Sequence, residues 1–293
     1  MVFRKNNKLT NFNSMKYLLI LLIITINVTS AQGLNFVCKV GEFTAATSFD
    51  FDLNGNIYVS DISENTITKL DSNGTEINKI GGFGWEESSF DEPVSIFSNT
   101  LSLYVADKNN SRIQRFDKDL NFISQFIGND ENSELEFAYP SCVEISNIGD
   151  LFILDSDNNR ILKFDLSGNY ILEIGSNDAG SYALTNPTYF TLDLNSNIFV
   201  LDDEQITIFD QYGNSQLQFE HNYNPRKIHM VNQSILFIEN EKLILFNMKE
   251  RETQSIFNTF PEKFEDEIVD AKILENNLFI LTGKNIIKYQ IIN

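Results

Sequence analysis

The segment "ILDSDNNRILKFD" (residues 153–165) carries two aspartates and two asparagines within five positions, a pattern typical of the start of a calcium-binding loop. Such a loop needs a glycine at the sharp turn, and Arg160 occupies that position here. In a structural interpretation, Asp155 ends a strand and accepts backbone N–H groups from the loop that follows, while Arg160 pairs with it or with a neighbouring repeat. The sequence favours the structural interpretation and leaves metal binding as the alternative.

The same segment occurs in six copies along the chain. Full-length copies occupy residues 59–71, 105–117 and 153–165, and shorter copies occupy residues 200–210, 237–247 and 280–290. Within each repeat, short stretches of alternating apolar and polar residues are separated by Gly, Asn and Asp turns, which predicts four antiparallel strands. Six repeats of roughly 44 residues predict an all-β fold, a six-bladed β-propeller that occupies residues 32–293 as a single domain.

The two ends of the repeat array predict how the ring closes. The last copy ends at Asn293 after its third strand, whereas residues 35–43 have a strand pattern and no blade of their own. We expect this N-terminal strand to complete the last blade and so remove an exposed sheet edge. A mostly aromatic series in the six third strands is predicted to pack between blades; its members are Leu70, Phe116, Phe164, Phe209, Phe246 and Tyr289.

Two motifs carry a resemblance to a known family. The core "VADxxNxRIQxFD" and the linker "GGFGWEESSFDEP" (residues 81–93), whose F-x-x-P ending returns in residues 137–140, resemble the NHL-repeat β-propellers of the secreted bacterial type. The match is strong in the first three repeats, partial in the fourth and weak in the last two. Because NHL propellers occur on secreted bacterial proteins, on RNA-binding and ubiquitin-ligase proteins and on an amidating lyase, the resemblance implies fold more than function.

Residues that could perform catalysis are few. Propellers that act as lyases or hydrolases bring several His or carboxylate ligands to a central metal, but this chain has only two histidines, His221 and His229, and lacks G-x-S-x-G, H-E-x-x-H and P-loop motifs. The candidate carboxylates of the predicted channel are Asp50, Asp52, Glu144 and Asp193. We predict a binding or interaction module with no catalytic, metal-binding or cofactor-binding residue and no cofactor. The alternative is a metal-dependent propeller lyase or lactonase-type hydrolase.

The repeats differ in the length of their linkers. Long linkers follow the first three repeats, whereas the fourth is followed only by "EHNYNP" (residues 220–225). The long linkers place acidic residues and four aromatic residues on one face, and we predict that these aromatics bind a partner: Phe83, Trp85, Tyr139 and Tyr182. The partner is expected to be a protein, peptide or glycan, and the acids favour a basic one. In the alternative, the aromatics cover the seams between blades and the acids only solvate the rim.

The N-terminal sequence indicates the cellular compartment, and the net charge limits the kinds of partner. Residues 1–31 read as a secretory signal peptide, with a basic start at Lys16, an apolar run over residues 17–26 and small residues up to Ala31. The run is about half of the roughly 20 residues that span a bilayer, so we expect cleavage and no membrane insertion, with an uncleaved anchor as the alternative. The mature protein is expected to be periplasmic or extracellular, and a monomer. The leader holds four of the 22 basic residues and none of the 41 acidic ones, which leaves the rest more acidic than the formal charge of −19. No basic stripe remains, and this excludes nucleic acid as a partner.

The two cysteines are predicted to stay unpaired. Cys38 falls in the outermost strand of the last blade and Cys142 in the innermost strand of the third, half a turn around the ring. A disulfide needs Cα atoms within about 7 Å.

Overall fold

The structure, a computed structural model, describes residues 33–128, 136–165, 167–261 and 266–292. It contains six antiparallel sheets of four strands each, which confirms the predicted six-bladed β-propeller. The first strands of the sheets contact one another in sequence, and that of the sixth sheet contacts that of the first, so the blades form a closed ring. The predicted signal peptide of residues 1–31 lies outside the described residues. In the part that is described, no helix has the length and apolar character needed to cross a membrane.

Each of the first five blades is a meander of four consecutive strands. Blade one contains β2 (Ala46–Phe51), β3 (Ile57–Asp61), β4 (Thr66–Leu70) and β5 (Glu76–Gly81). Blade two contains β6 (Pro93–Ser98), β7 (Leu103–Asp107), β8 (Arg112–Phe116) and β9 (Phe122–Ile127). Blade three contains β10 (Pro140–Ile145), β11 (Leu151–Asp155), β12 (Arg160–Phe164) and β13 (Tyr170–Ile174).

The second half of the ring is built in the same way. Blade four contains β14 (Pro187–Leu192), β15 (Ile198–Asp202), β16 (Gln205–Phe209) and β17 (Ser215–Glu220). Blade five contains β18 (Lys227–Val231), β19 (Ser234–Ile238), β20 (Leu243–Asn247) and β21 (Glu252–Phe257). Blade six contains β22 (Ile268–Leu274), β23 (Asn277–Thr282), β24 (Ile286–Ile292) and β1 (Gly33–Val40). A short 3-10 helix (Asn177–Tyr182) lies between blades three and four.

Burial changes from the inside of each blade to the outside. Every residue of the second strands β3, β7, β11, β15 and β19 is buried, because these strands carry neighbouring blades on both of their faces. The outermost strand β5 is mostly exposed. The aromatic series predicted from the repeats is buried between blades except for Phe246, which is half-buried, so its packing role is confirmed.

Six hairpin turns owe their geometry to an aspartate. In each of them the Oδ1 atom accepts the backbone N–H groups of the residues two and four positions on, as expected of an Asx turn; the residues are Asp52, Asp71, Asp117, Asp165, Asp193 and Asp210. Asn121 and Asn169 also donate side-chain hydrogen bonds, which lower the pKa values of Asp117 and Asp165. Part of the chain's acidity therefore serves to fold turns.

The N-terminal strand takes the place predicted for it. β1 pairs antiparallel with β24 from Gly33 opposite Ile292 to Val40 opposite Ile286, with a bulge next to Cys38. Cys38 thus lies in the outermost strand of blade six and Cys142 in the innermost strand of blade three, and both are free thiols as predicted.

Deletion of residues 33–40 should lower the melting temperature strongly and promote aggregation, because it leaves the backbone groups of β24 as an unpaired apolar edge. Thermal unfolding and size-exclusion chromatography measure both effects. Val37→Ala, a change at a side chain that is 48% exposed in the same strand, is the control and should leave both unchanged. A deletion variant that melts like the intact protein would show that β1 is not needed for closure.

Candidate functional site

A buried carboxylate at the end of the second strand holds the linker that enters the same blade. Asp61 accepts the N–H groups of Thr44 and Ala45, and Asp202 accepts those of Thr185 and Asn186. Asp107 and Asp155 each accept one such group, from Asp91 and Ala138. The sequence predicts that Asp155 binds backbone N–H groups of the loop that follows. Such a contact is present at Asp61, which accepts the Ser63 and Glu64 N–H groups, whereas at Asp155 the following loop donates through the Asn158 side chain. The contact common to all four blades is instead with the preceding linker.

The segment that opened the sequence analysis is part of this arrangement. Asp155 is fully buried. Its carboxylate accepts hydrogen bonds from the Asn158 side-chain amide and forms an ion pair with Arg160 at 2.9 Å. The guanidinium of Arg160 also donates to the carbonyl oxygen of Glu136, in the linker between blades two and three. The carboxylate is therefore occupied by donors from the protein itself. Among the residues that are described, no three His, Cys, Asp or Glu side chains are placed to hold a metal ion.

Arg112 fixes the linker between blades one and two. Its Nε donates to Asp107 at 2.7 Å, and both side chains are buried. The two Nη atoms donate to the carbonyl oxygens of Trp85, Glu86 and Ser89 and to the side chain of Gln125, so all five N–H donors of the guanidinium are used. The buried Arg112–Asp107 ion pair thus fixes the backbone of residues 85–89, which is named here the Trp85 loop.

The four aromatic residues predicted to bind a partner have different surroundings. Trp85 and Phe83 lie in or next to the Trp85 loop and are 65% and 75% exposed. Tyr139, in the next linker, is 47% exposed and has a positive φ of 50°. Tyr182, at the end of the 3-10 helix, is half-buried and packs against the hydrophobic cluster of the neighbouring blades. The structure therefore exposes Phe83 and Trp85 together, whereas the Tyr182 ring packs partly against the neighbouring blades.

The innermost strands are joined to one another by hydrogen bonds around the channel. Side chains of β2, β6, β10 and β14 bind backbone groups of the next innermost strand; the pairs are Ser48 with Ile96, Asp50 with Ser98, Ser95 with Val143, Glu144 with Leu192, Cys142 with Phe190 and Thr191 with Met230. Two of the candidate channel carboxylates, Asp50 and Glu144, are therefore engaged in joining blades. The other two, Asp52 and Asp193, cap hairpin turns, so the four candidates do not converge on one site.

Ion pairs complete this ring between blades five, six and one. Asp270 of β22 accepts Lys227 at 3.0 Å and His229 at 2.8 Å, both from β18. Lys227 also donates to the backbone oxygen of Thr47, and Lys272 pairs with Asp50 at 2.9 Å. Burial alone would raise the pKa of Asp270, but Lys227 and His229 hold it below its usual value. Burial lowers the pKa of His229, so its imidazole is neutral at pH 7 and donates from Nε2.

Sequence reasoning missed three of these charged residues. Lys227, Asp270 and Lys272 lie in "KIHMV" and "IVDAKIL", where ionisable residues occupy alternate positions of the strand. That alternation was a signal that could have placed them in the channel. Their pairing could not be read from it, because the partners are on different blades and 43 or more positions apart.

The short linker after blade four leaves a cleft of about 980 Å³ between blades four and five. Its walls are formed by residues of the preceding linker, by the second-to-third strand loop of blade four and by Tyr223, Asn224 and Pro225. A smaller cavity of about 350 Å³ adjoins it and shares Glu204, Tyr223 and Asn224 with it. Large cavities in proteins are the usual places for ligands.

The comparisons with known proteins agree with this architecture. The sequence profile of the DUF5128 family, described as a 6-bladed beta-propeller, matches residues 95–286. The chain is 31% identical over 140 residues to Protein brain tumor of Drosophila melanogaster, a match that covers 46% of this chain but only 13% of that protein.

Solved structures resemble the whole ring at low sequence identity. Virginiamycin B lyase from Staphylococcus aureus is similar with a TM-score of 0.62 and 14% identity over 89% of this chain and all of that one. A chain of the nidogen/laminin complex is similar with a TM-score of 0.61 and 14% identity over 78% of this chain and 94% of that one. At such identities the likeness shows the fold alone.

Arg112→Lys should loosen the Trp85 loop, because an ammonium offers three donors where the guanidinium supplies five. We expect a loss of about 2–3 kcal/mol in the free energy of unfolding and a lower fluorescence anisotropy of Trp85, the single tryptophan of the chain. Arg115→Lys is the matched control, since Arg115 of the same strand binds Ser102 and makes no hydrogen bond to the loop. Equal anisotropy in the two variants would contradict the role given to Arg112.

Glu144→Gln should stabilise the protein at alkaline pH. Burial raises the pKa of Glu144 to about 7 although the Leu192 N–H opposes the shift. The folded state therefore favours the protonated carboxyl, and the wild type loses stability relative to the variant as the pH rises from about 4.5 through 7. Chemical denaturation should give similar stabilities at pH 4.5 and a gain of about 1–3 kcal/mol for the variant at pH 8. A gain that does not depend on pH would mean that the carboxyl does not titrate in this range.

Proposed function

The chain belongs to the DUF5128 family of six-bladed β-propellers, and on this basis we propose that it is a secreted, NHL-type binding module whose Trp85 loop anchors a protein or peptide partner. One observation carries the proposal: Trp85 and Phe83 are exposed on a loop whose backbone is fixed by the buried Arg112. Ordinarily a large exposed aromatic on a mobile loop loses entropy when it binds. A loop that is already held binds at a smaller entropic cost.

The charge of the loop indicates the kind of partner. Glu86 and Glu87 are exposed next to Trp85, and the chain as a whole carries a formal charge of −19. A basic surface would therefore be attracted over a distance and would associate more slowly as salt rises. The nidogen/laminin complex, by its name an assembly of proteins, includes a chain of similar fold and supports an interaction role. Secretion is proposed from the sequence of residues 1–31.

A metal-dependent lyase or lactonase-type hydrolase has less support at the level of residues. The fold is shared with a lyase. The candidate carboxylates are bound to blades and turns, and in the described segments no group of three potential ligands is placed to hold a metal ion. We therefore propose binding as the function.

Trp85→Ala should remove partner binding while leaving the fold intact. Immobilised wild-type protein is exposed to envelope and culture-medium fractions of the source organism, and the captured proteins are compared with those captured by the variant. We expect at least a tenfold loss of one basic partner in the variant and a similar loss from the wild type at high salt.

Tyr212→Ala is the matched control, because Tyr212 is a 69% exposed aromatic in a hairpin turn on the opposite face. It should capture the partner as the wild type does. A Trp85→Ala variant that captures the same proteins, or that loses several kcal/mol of stability, would identify Trp85 as a packing residue and end the proposal.

A further inference from the structure

The cleft between blades four and five has the chemistry of a second binding site. It lies where the chain passes from blade four to blade five in only six residues, whereas the preceding linker is long enough to contain a 3-10 helix. The long linker and the short one form opposite sides of the opening. The cleft thus lies where a long linker and a short one come together.

Its lining is polar, and no lysine or arginine lines the larger cavity. The polar side chains of the lining include Asp203, Glu204, Gln205 and Asn224, whereas the Tyr223 hydroxyl is bound to Thr253 and the Gln218 amide donates to Thr207. Glu204 is exposed to the cleft, and within the described ranges its carboxylate makes no hydrogen bond or ion pair. A carboxylate without a donor in a cleft needs donors from water or from a ligand.

His221, in contrast, has a hydrogen-bond donor without an acceptor. It lines the smaller cavity, is only 7% exposed, and accepts the Tyr223 N–H at Nδ1 over 3.4 Å. Because Nδ1 is the acceptor and burial lowers the pKa of the imidazole, the neutral ring carries its proton on Nε2. The Nε2 atom is buried, and no residue of the described chain accepts from it. This donor lacks an acceptor while Glu204 beside it lacks a donor.

We propose that the cleft between blades four and five binds a neutral saccharide. A sugar hydroxyl both donates and accepts, so one kind of group serves the Glu204 carboxylate and the His221 imidazole together. An ammonium or guanidinium group only donates and would leave Nε2 without an acceptor. The half-buried Tyr223 ring, stacked on His221 with an angle of 13° between their planes, lines both cavities and adds apolar surface to them. The site is separate from the Trp85 loop and does not depend on its function.

Saturation-transfer NMR on the purified full chain tests the proposal with unmodified maltotriose, cellotriose, mannotriose and chitotriose as probes. We expect at least one trisaccharide to receive saturation from the protein. Asp203→Asn combined with Glu204→Gln should weaken that binding at least tenfold without changing the melting temperature. Trp85→Ala and Glu76→Gln, an exposed carboxylate in blade one, should bind as the wild type does.

Three results would overturn the proposal. They are the absence of saturation transfer to all four trisaccharides, binding that is unaffected by the double variant, and preferential, salt-sensitive binding of Nα-acetyl-lysine amide, which would make the cleft a site for basic peptides. If the double variant melts at a lower temperature, Asn224→Ala replaces it, because that side chain is exposed in both cavities and should give the same loss of binding.

Discussion

The hydrogen bonds that pass from each innermost strand to the next hold six separate sheets in one ring. No sheet is continuous with its neighbour, so the contacts between blades consist of packed side chains and of these polar links. Four of the six junctions use a side chain that binds a backbone group of the next blade. The other two, between blades five and six and between six and one, use ion pairs of Asp270, Lys227 and Lys272. The ionisable side chains of these strands that join blades, Asp50, Glu144, Lys227, Asp270 and Lys272, consequently have partners within the protein.

This arrangement moves the surfaces available for function to the linkers. A buried aspartate ties the linker to the blade in blades one to four, and Glu239 accepts the Asn224 N–H at the same place in blade five. The length of these linkers can therefore vary without changing the sheets. A long linker gives a supported protrusion, as at the Trp85 loop over Arg112. A short one gives a cleft, as between blades four and five. One repeated carboxylate is therefore compatible with two different kinds of surface on the same face.

The repeat made the fold predictable, because strand alternation and turn residues recur at a fixed spacing and each copy supports the reading of the others. The closing strand, the buried third-strand series and the free cysteines follow from the order of strands alone. The channel ion pairs do not follow from it, since Lys227 and Asp270 meet only when two blades are placed side by side.

The cleft does not follow from the sequence for a different reason. The sequence shows that the linker over residues 220–225 is short, but it does not show the walls of the space beside it. Tyr182 shows that sequence composition does not indicate whether an aromatic side chain in a linker packs against the blades or is exposed.

The pairing of Gly33 with Ile292 also has a mechanical meaning. The two residues face each other at one end of an antiparallel pair, so a force that pulls the chain ends apart loads the β1–β24 hydrogen bonds one after another, starting from this pair. Such an arrangement opens like a zipper and resists little, whereas strands pulled along their length share the load over all their bonds. Tension on the two ends of the propeller is therefore expected to open the ring first by the release of a single strand.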